Sequence, residues 1–133
     1  MGASFKELVV WQRAVELTVA IYKLTSTFPE SERFGLTNQL RQASVSIASN
    51  IAEDCGRSTR GEHVRFLGHA RGSNCEVQTQ LVIAQALGFG SEEERRLAEG
   101  LSEEVSRMLV AIMIKLRKCG VFLFPGACPV PFR

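Results

Sequence analysis

The sequence predicts an all-α fold: an antiparallel, up-down four-helix bundle over residues 1–118, followed by an irregular, proline-containing C-terminal tail over residues 119–133. Apolar residues recur every three or four positions in four successive segments, and no segment alternates as a strand does. Three of the segments begin with a capping box, a Ser or Thr followed three residues later by Glu. The boxes pair Ser4 with Glu7, Thr59 with Glu62, and Ser91 with Glu94. A chain of 133 residues is long enough for one such core.

Helix 1 is predicted over residues 5–27, and Pro29 ends it because proline disfavours a helical backbone at the preceding residue. Its core face consists of Val10, Ala14, Leu17, Ile21, Leu24 and Phe28. An adjacent stripe consists of Trp11, Val15, Thr18 and Tyr22. The two stripes together are wider than contact with one neighbouring helix requires.

The other three helices follow the same spacing. Helix 2 is predicted to begin between Arg33 and Thr37 and to end near Cys55, helix 3 covers residues 60–87, and helix 4 covers residues 92–118. The predicted core positions are Leu36, Leu40, Ala43, Ile47 and Ile51 in helix 2, Phe66, Ala70, Ser73, Val77, Leu81, Ala84 and Leu87 in helix 3, and Leu97, Leu101, Val105, Met108, Ile112 and Leu116 in helix 4.

Glycines mark the predicted turns and one unusual helix face. Gly56 is expected to close helix 2 in the left-handed conformation, and the short connection to helix 3 makes these two helices antiparallel neighbours. Gly88 and Gly90 are expected to stop helix 3. Gly68 and Gly72 lie on one face inside helix 3, where each costs about 1 kcal/mol relative to Ala. We expect the close approach of another backbone to compensate that cost.

Residues 108–114 are apolar all the way round helix 4, so their outer side must also be covered. This pattern predicts self-association through the C-terminal half of helix 4. The interface candidates are Leu109, Val110, Met113 and Ile114. The tail has no helical period, and its apolar residues 121–124 favour packing on the bundle or on a partner subunit.

The composition favours a cytoplasmic protein. The start of the chain lacks the basic and apolar regions of a signal peptide, and the longest apolar run is too short to span a bilayer. The four cysteines (Cys55, Cys75, Cys119 and Cys128) form no Cys-x-x-Cys pair, which is typical of free thiols in a reducing compartment.

No pattern points to catalysis, a metal or a cofactor. A di-iron bundle needs Glu-x-x-His motifs, and neither His63 nor His69 has a Glu three residues before it. The acidic residues of helix 4 begin on its first turn, interleaved with Arg95 and Arg96, as expected for a solvated helix start. We therefore expect a protein that is not an enzyme, and a small helical-bundle hydrolase is the weakest alternative.

Basic residues provide the main candidate site. Arginine's planar guanidinium suits phosphate, and the N-terminus of helix 3 adds unpaired N–H groups. Ion pairing with Glu53, Asp54, Glu62 or a neighbouring subunit is the other interpretation. The nucleic-acid-binding candidates are Arg41, Arg57, Arg60, Arg65, Arg71, Lys115, Arg117 and Lys118.

Several sequence segments resemble a known family, the bacterial four-helix-bundle proteins related to those encoded in 23S ribosomal RNA intervening sequences. The similar segments are Phe5–Gln12, Phe34–Arg41, Ser46–Glu53, Gly56-Arg57, Phe66-Leu67, Ala70–Ser73 and Glu76–Gly88. The chain is also similar to the accessory protein of diversity-generating retroelements, which binds nucleic acid and a reverse transcriptase through a basic surface.

The resemblance implies an antiparallel bundle that assembles as a homopentamer, and it carries over no catalytic residue. It has one departure: Asp54-Cys55 stands where the family usually has Gly, which adds negative charge beside the arginines. The leading hypothesis is a non-enzymatic, oligomeric bundle that binds RNA or a nucleoprotein partner through a basic surface. The alternative is a structural protein–protein adaptor with no nucleic-acid binding.

Overall fold

The computed structural model describes residues 4–56 and 60–123, except for the side chains of residue 60 and of residues 118–123. The described part contains four α-helices and two short 3-10 helices, and no strand. The α-helices are α1 (Val9–Thr25), α2 (Leu36–Cys55), α3 (Arg60–Leu87) and α4 (Glu92–Leu123). The 3-10 helices are Phe5–Glu7 before α1 and Glu30–Glu32 between α1 and α2.

The four α-helices form an antiparallel bundle, which confirms the predicted fold class. Each helix packs on the helices before and after it, α4 packs on α1, and the diagonal pairs α1 with α3 and α2 with α4 make no backbone contact. We call the end that holds the α2–α3 connection the joint end. The opposite end, which holds residues 26–35 and 88–91, is called the loop end.

The core runs along the bundle axis and contains every residue predicted for the core faces of helices 1 and 2. Phe28, which follows the end of α1, is also buried, and its ring centroid lies 5.6 Å from that of Phe89. The predicted core of helix 3 is partly right, because Ala70, Val77, Leu81 and Ala84 are buried while Leu87 is 56% exposed.

Polar ties link neighbouring helices across the core. The most buried one joins α3 to α4: Asn74 Nδ2 donates to the carbonyl oxygen of Ser102 (2.9 Å), and Ser102 Oγ donates to Asn74 Oδ1 (2.7 Å). Between α2 and α3, the hydroxyls of Ser46 and Ser73 are 2.9 Å apart. These ties fix the register of the helices, because each buried polar group must find its partner.

The start of helix 1 differs from the prediction. Ser4 Oγ accepts from the backbone N–H of Lys6 (3.3 Å), so it caps the 3-10 helix Phe5–Glu7. The α-helix begins only at Val9, after Leu8 adopts an extended conformation. Tertiary packing accounts for the break, since Phe5 turns onto Trp11 in an edge-to-face contact with centroids 5.3 Å apart.

Helix 4 is rotated relative to the predicted core face and is longer. Ala98, Ser102, Val105, Leu109 and Met113 are the buried positions, while the predicted Leu97 is 58% exposed. Arg95 is also buried, with its Nε 3.3 Å from Glu99 Oε1. The prediction of an irregular tail from residue 119 was wrong at its start, because α4 continues to Leu123. Residues 124–133 lie outside the described residues.

The glycine predictions are confirmed after α3 and wrong at the other predicted positions. Gly88 and Gly90 have φ of 73° and 78° and stop α3 as expected. Gly56 has φ −87° and ψ 0°, so the predicted left-handed closure of α2 was wrong. Within the described part of the chain, the expected close approach at Gly68 and Gly72 was also wrong, because a Cβ at either position would meet no atom there within 4 Å.

Two of the predicted capping boxes can be compared with the structure. Ser91 Oγ accepts from the N–H of Glu94 (3.2 Å) and donates to the Glu94 carboxylate (2.9 Å), so this box caps α4 as predicted. The box at Thr59 lies outside the described residues. None of the helices in the described part is long and apolar enough to cross a membrane.

Candidate nucleic-acid interface

The joint end brings the start of α3 next to the last part of α4. The contact of Asn74 with Ser102 sets this register, because Arg60 precedes Asn74 by as many residues as Leu116 follows Ser102. The helices are antiparallel, so the backbone of Arg60 lies level with that of Leu116. From there to Leu123, α4 extends roughly 10 Å further at 1.5 Å per residue.

Two of the predicted basic residues are exposed on α4 at this end. Lys115 and Arg117 both have exposed side chains, and Arg117 lies on the same side of the helix as Val110 and Ser106, toward α3. The side chains of Arg60 and Lys118 and all of Arg57 lie outside the described residues. Five of the predicted basic residues therefore belong to the joint end, and the structure describes two of them, Lys115 and Arg117, with their side chains.

Arg65 and Arg71 lie on α3 but point to different sides. Six residues separate them, which places them about 120° apart around the helix. Arg65 is exposed, with its guanidinium carbon 5.7 Å from the ring centroid of Phe66, while Arg71 is half-buried. Arg65 thus extends the basic surface of the joint end, and Arg71 lies beside α4 rather than next to Arg65.

Arg41 does not join the other basic residues. It lies about 21 Å along α2 from the joint. Its Nε donates to Thr25 Oγ1 (2.9 Å), and its guanidinium carbon is 4.5 Å from the ring centroid of Tyr22. A cation held over an aromatic ring and bonded to a neighbouring helix ties α2 to α1. Arg41 therefore has an internal role that its position in the sequence did not indicate.

Asp54 pairs with a histidine instead of an arginine. Its Oδ1 is 2.7 Å from Nδ1 of His63, which joins the end of α2 to the first turn of α3. Burial raises the pKa of Asp54, and the hydrogen bond and charge of His63 oppose that shift. Burial, and then the charge of Asp54, raises the pKa of the neighbouring Cys55 thiol. Cys55 is therefore less reactive than an ordinary thiol at neutral pH.

The predicted self-association site is largely inside the chain. Leu109 and Met113 are buried, at 0% and 7% exposure, so these two interface candidates were wrong. Val110 is half-buried and Ile114 is 37% exposed. The apolar character of residues 108–114 has an internal reason, because α4 contacts α1 on one side and α3 on the other.

An open apolar groove lies between α1 and α2, reaching from the joint end to the middle of the bundle. It encloses about 340 Å³ and is lined by Phe5, Trp11, Val15, Thr18, Val19, Val45, Ala48, Ser49 and Ala52. Sequence reasoning did not identify this groove as a site. The signal was the second stripe of helix 1, since Trp11, Val15 and Thr18 belong to it and line the groove.

The described residues offer no group of three or more His, Cys, Asp or Glu side chains placed to hold a metal ion. His63 is engaged by Asp54, and the ring of His69 packs edge-on against Phe66 with centroids 6.1 Å apart. Among the cysteines, Cys55 and Cys75 are free and exposed.

Comparison with known proteins identifies the family. The family model of the 23S rRNA-intervening sequence proteins matches residues 6–111. A similar solved structure is that of a protein of unknown function from the S23 ribosomal protein family of Bacteroides thetaiotaomicron. It is 23% identical, has a TM-score of 0.71, and the match covers 79% of this chain and 98% of that one, which shows the shared fold. No curated protein matches the chain. The match over residues 6–111 establishes that this chain belongs to the 23S rRNA-intervening sequence protein family.

Proposed function

We propose that the protein is a non-enzymatic, homo-oligomeric helical bundle that binds RNA, alone or within a nucleoprotein, through the basic surface of the joint end. The main support for this proposal is that the start of α3 lies next to the exposed Lys115 and Arg117 of α4. The family's name refers to 23S rRNA, which makes RNA the nucleic acid to test first.

The proposed contact is with the phosphate backbone. Arginine binds phosphate through two parallel N–H bonds, and the first N–H groups of α3 have no partner within that helix. Base recognition would require aromatic side chains next to the cations, and Phe66 beside Arg65 is such a ring. One ring supports little sequence preference, so we expect binding that depends mainly on charge.

The test is a salt titration of RNA binding, measured by the fluorescence anisotropy of a labelled single-stranded RNA. For single strands the logarithm of the affinity should fall linearly with the logarithm of salt, with a slope of about −0.7 per phosphate neutralised. With three to five contacts we expect a slope of roughly −2 to −3.5. The absence of binding at about 50 mM salt, or binding that does not change with salt, would contradict the proposal.

The proposed oligomer is a homopentamer, and the outer face of α3 is the part of the described surface that best supports self-association. Gly68 and Gly72 lie on this face, about one and two turns beyond Arg65, and a Cβ at either would meet no atom of the described residues within 4 Å. Val82 and Ile83 extend it with 63% and 44% exposure. Glycines inside a helix weaken it, so contact with a helix of another subunit is a reason to have them.

Light scattering on the purified protein measures the number of subunits. Substitution of Gly68 and Gly72 by leucine tests whether the outer face of α3 forms the subunit contact. We expect a pentamer for the unchanged chain and smaller species for Gly68→Leu with Gly72→Leu. The matched control is Gly100→Leu on α4, since Gly100 is also exposed and faces open space. A monomeric unchanged chain, or equal dissociation by both changes, would contradict this assignment.

A structural adaptor with no nucleic-acid binding is the second candidate. The internal contacts of Arg41 with Tyr22 and Thr25 favour it, because they show that one predicted RNA-binding residue already has a structural role. The same salt titration separates the two functions, since an adaptor would have no salt-dependent affinity for RNA.

A further inference from the structure

We propose that the α1–α2 groove is the docking site for residues 124–133 of the same chain. This inference concerns a separate surface from the basic one and does not depend on RNA binding. It predicts that residues 124–133 shield Trp11 from solvent.

The first argument is the chemistry of the groove. The rings of Phe5 and Trp11 stand edge to face at one end, with centroids 5.3 Å apart, and aliphatic side chains of both helices line the rest. Val19 and Val45 are 49% and 43% exposed within it. Grooves walled by aromatic rings are the common binding sites of proline-rich segments, whose extended conformation is largely preformed.

The second argument is the chemistry of the segment. Residues 124–133 read Phe-Pro-Gly-Ala-Cys-Pro-Val-Pro-Phe-Arg, with three prolines, two phenylalanines and a single charge at Arg133. A segment with so many prolines has little freedom to lose when it docks. Apart from Arg133 the segment is apolar, and no charged residue lines the groove, so docking would remove apolar surface of both from water.

The third argument is distance. α4 ends at the joint end, where Phe5, Trp11 and Ala52 form the near end of the groove. The groove lies on the far side of α1 from α4, and helix axes are about 8–10 Å apart. Ten extended residues span up to about 33 Å, which is enough to pass one helix and enter the groove.

Attachment to the chain makes weak docking sufficient. A short tether gives an effective concentration of about 1 mM. A segment with a free dissociation constant of about 0.1 mM would then occupy the groove in roughly nine molecules of ten. The same peptide added from solution would need about 0.1–1 mM to bind, which sets the range for a test in trans.

Trp11 is the chain's single tryptophan and reports on the groove directly. The experiment compares acrylamide quenching and emission maximum of Trp11 in the full chain and in a chain ending at Leu123, which retains all four helices. We expect stronger quenching and a red shift in the shortened chain, and reversal of both when a peptide of residues 124–133 is added. Circular dichroism checks that the helices persist, and a full chain with Pro129→Ser, Pro131→Ser and Phe132→Ser tests the same point without shortening.

Val45→Glu supplies the groove variant, and Leu97→Glu, at an exposed position of α4, is its matched control. A carboxylate in the apolar groove should repel the segment, so quenching of Trp11 should no longer depend on residues 124–133. In the Leu97→Glu chain that dependence should persist. Equal quenching in the full and shortened chains would overturn the proposal. Protection of Trp11 that increases with protein concentration would also overturn it, since the segment would then come from a second copy.

Discussion

The segments at the two ends of this bundle contain similar glycine and serine signals but differ in structure. At the loop end, Gly88 and Gly90 have positive φ and Ser91 caps α4, as turn chemistry predicts. At the joint end, Gly56 is right-handed and Ser4 caps a 3-10 helix. There the contacts of Asp54 with His63 and of Phe5 with Trp11 position the chain. Local rules fail where tertiary contacts prevail, and such places are often functional.

The largest expected difference between the ends is the cost of adding a methyl group to a glycine. A Cβ at Gly90 would lie 2.5 Å from Leu24 Cδ1 and 3.0 Å from Phe28 Cε1, at a φ of 78°. We expect Gly90→Ala to lower the free energy of unfolding by about 2–4 kcal/mol, from left-handed strain and overpacking together. Gly56→Ala has an accessible φ and should be neutral or stabilising by up to about 1 kcal/mol. Urea denaturation measures both, and equal losses would contradict the account.

A smaller difference is expected between the two serine caps. Ser91 Oγ satisfies an N–H in the first turn of α4, so Ser91→Ala should cost about 1 kcal/mol of unfolding free energy. Ser4 caps only the three-residue 3-10 helix, through a bond of 3.3 Å. We expect Ser4→Ala to cost no more than about 0.3 kcal/mol, because exposed ends of short turns contribute little. A larger loss for Ser4→Ala in thermal melts would show that the joint end depends on its capping box after all.

The smallest expected effect is a pH dependence at the joint end. Burial raises the pKa of Asp54, so the native carboxyl binds its proton at pH values where the unfolded one has lost it. Its contribution to stability is therefore greatest at low pH and declines as the pH rises from the ordinary Asp value of about 3.9 to the raised one. Asp54→Asn removes this titration and retains an oxygen that accepts from His63.

Denaturation from acid to neutral pH checks this point. The stability of Asp54→Asn relative to the unchanged chain should increase as the pH rises through that window and then remain level. The matched control is Glu30→Gln at the loop end, whose side chain is 88% exposed. A stability difference for Asp54→Asn that decreases with pH would mean that the charge of His63 outweighs the burial of Asp54.

The helix faces that could be predicted from the sequence are those where polar residues mark the side away from the core. All six core positions assigned to helix 1 are buried, and Gln12, Glu16 and Lys23 lie on the opposite side of that helix. The core face of helix 4 was predicted only in part, with Val105 buried and Leu97 exposed, since residues 108–114 are apolar in every direction and spacing cannot choose among them. In the structure the face of α4 is set by Asn74, because its hydrogen-bond partner Ser102 must face the core.

The sequence predicted where basic residues gather along the bundle, but not the contacts of their side chains. Lys115 and Arg117 lie at the joint end because they are near the predicted end of helix 4. The ring of Tyr22 under Arg41 comes from another helix, and spacing along the sequence does not reveal contacts between helices. The groove needed the structure for the same reason, because its two walls are separate segments of the chain.

The central claim is that the joint end, and not the loop end, carries the RNA-binding surface. The most direct measurement compares the salt dependence of RNA affinity for two charge reversals of equal size. Lys115→Glu with Arg117→Glu changes the joint end, and Arg33→Glu with Arg96→Glu changes exposed arginines at the loop end. We expect the joint-end variant to weaken binding and to reduce the salt slope by about 1.4, the loss of two phosphate contacts. The loop-end variant should keep the original slope. Equal slopes for both variants, or a larger loss for the loop-end variant, would contradict the claim.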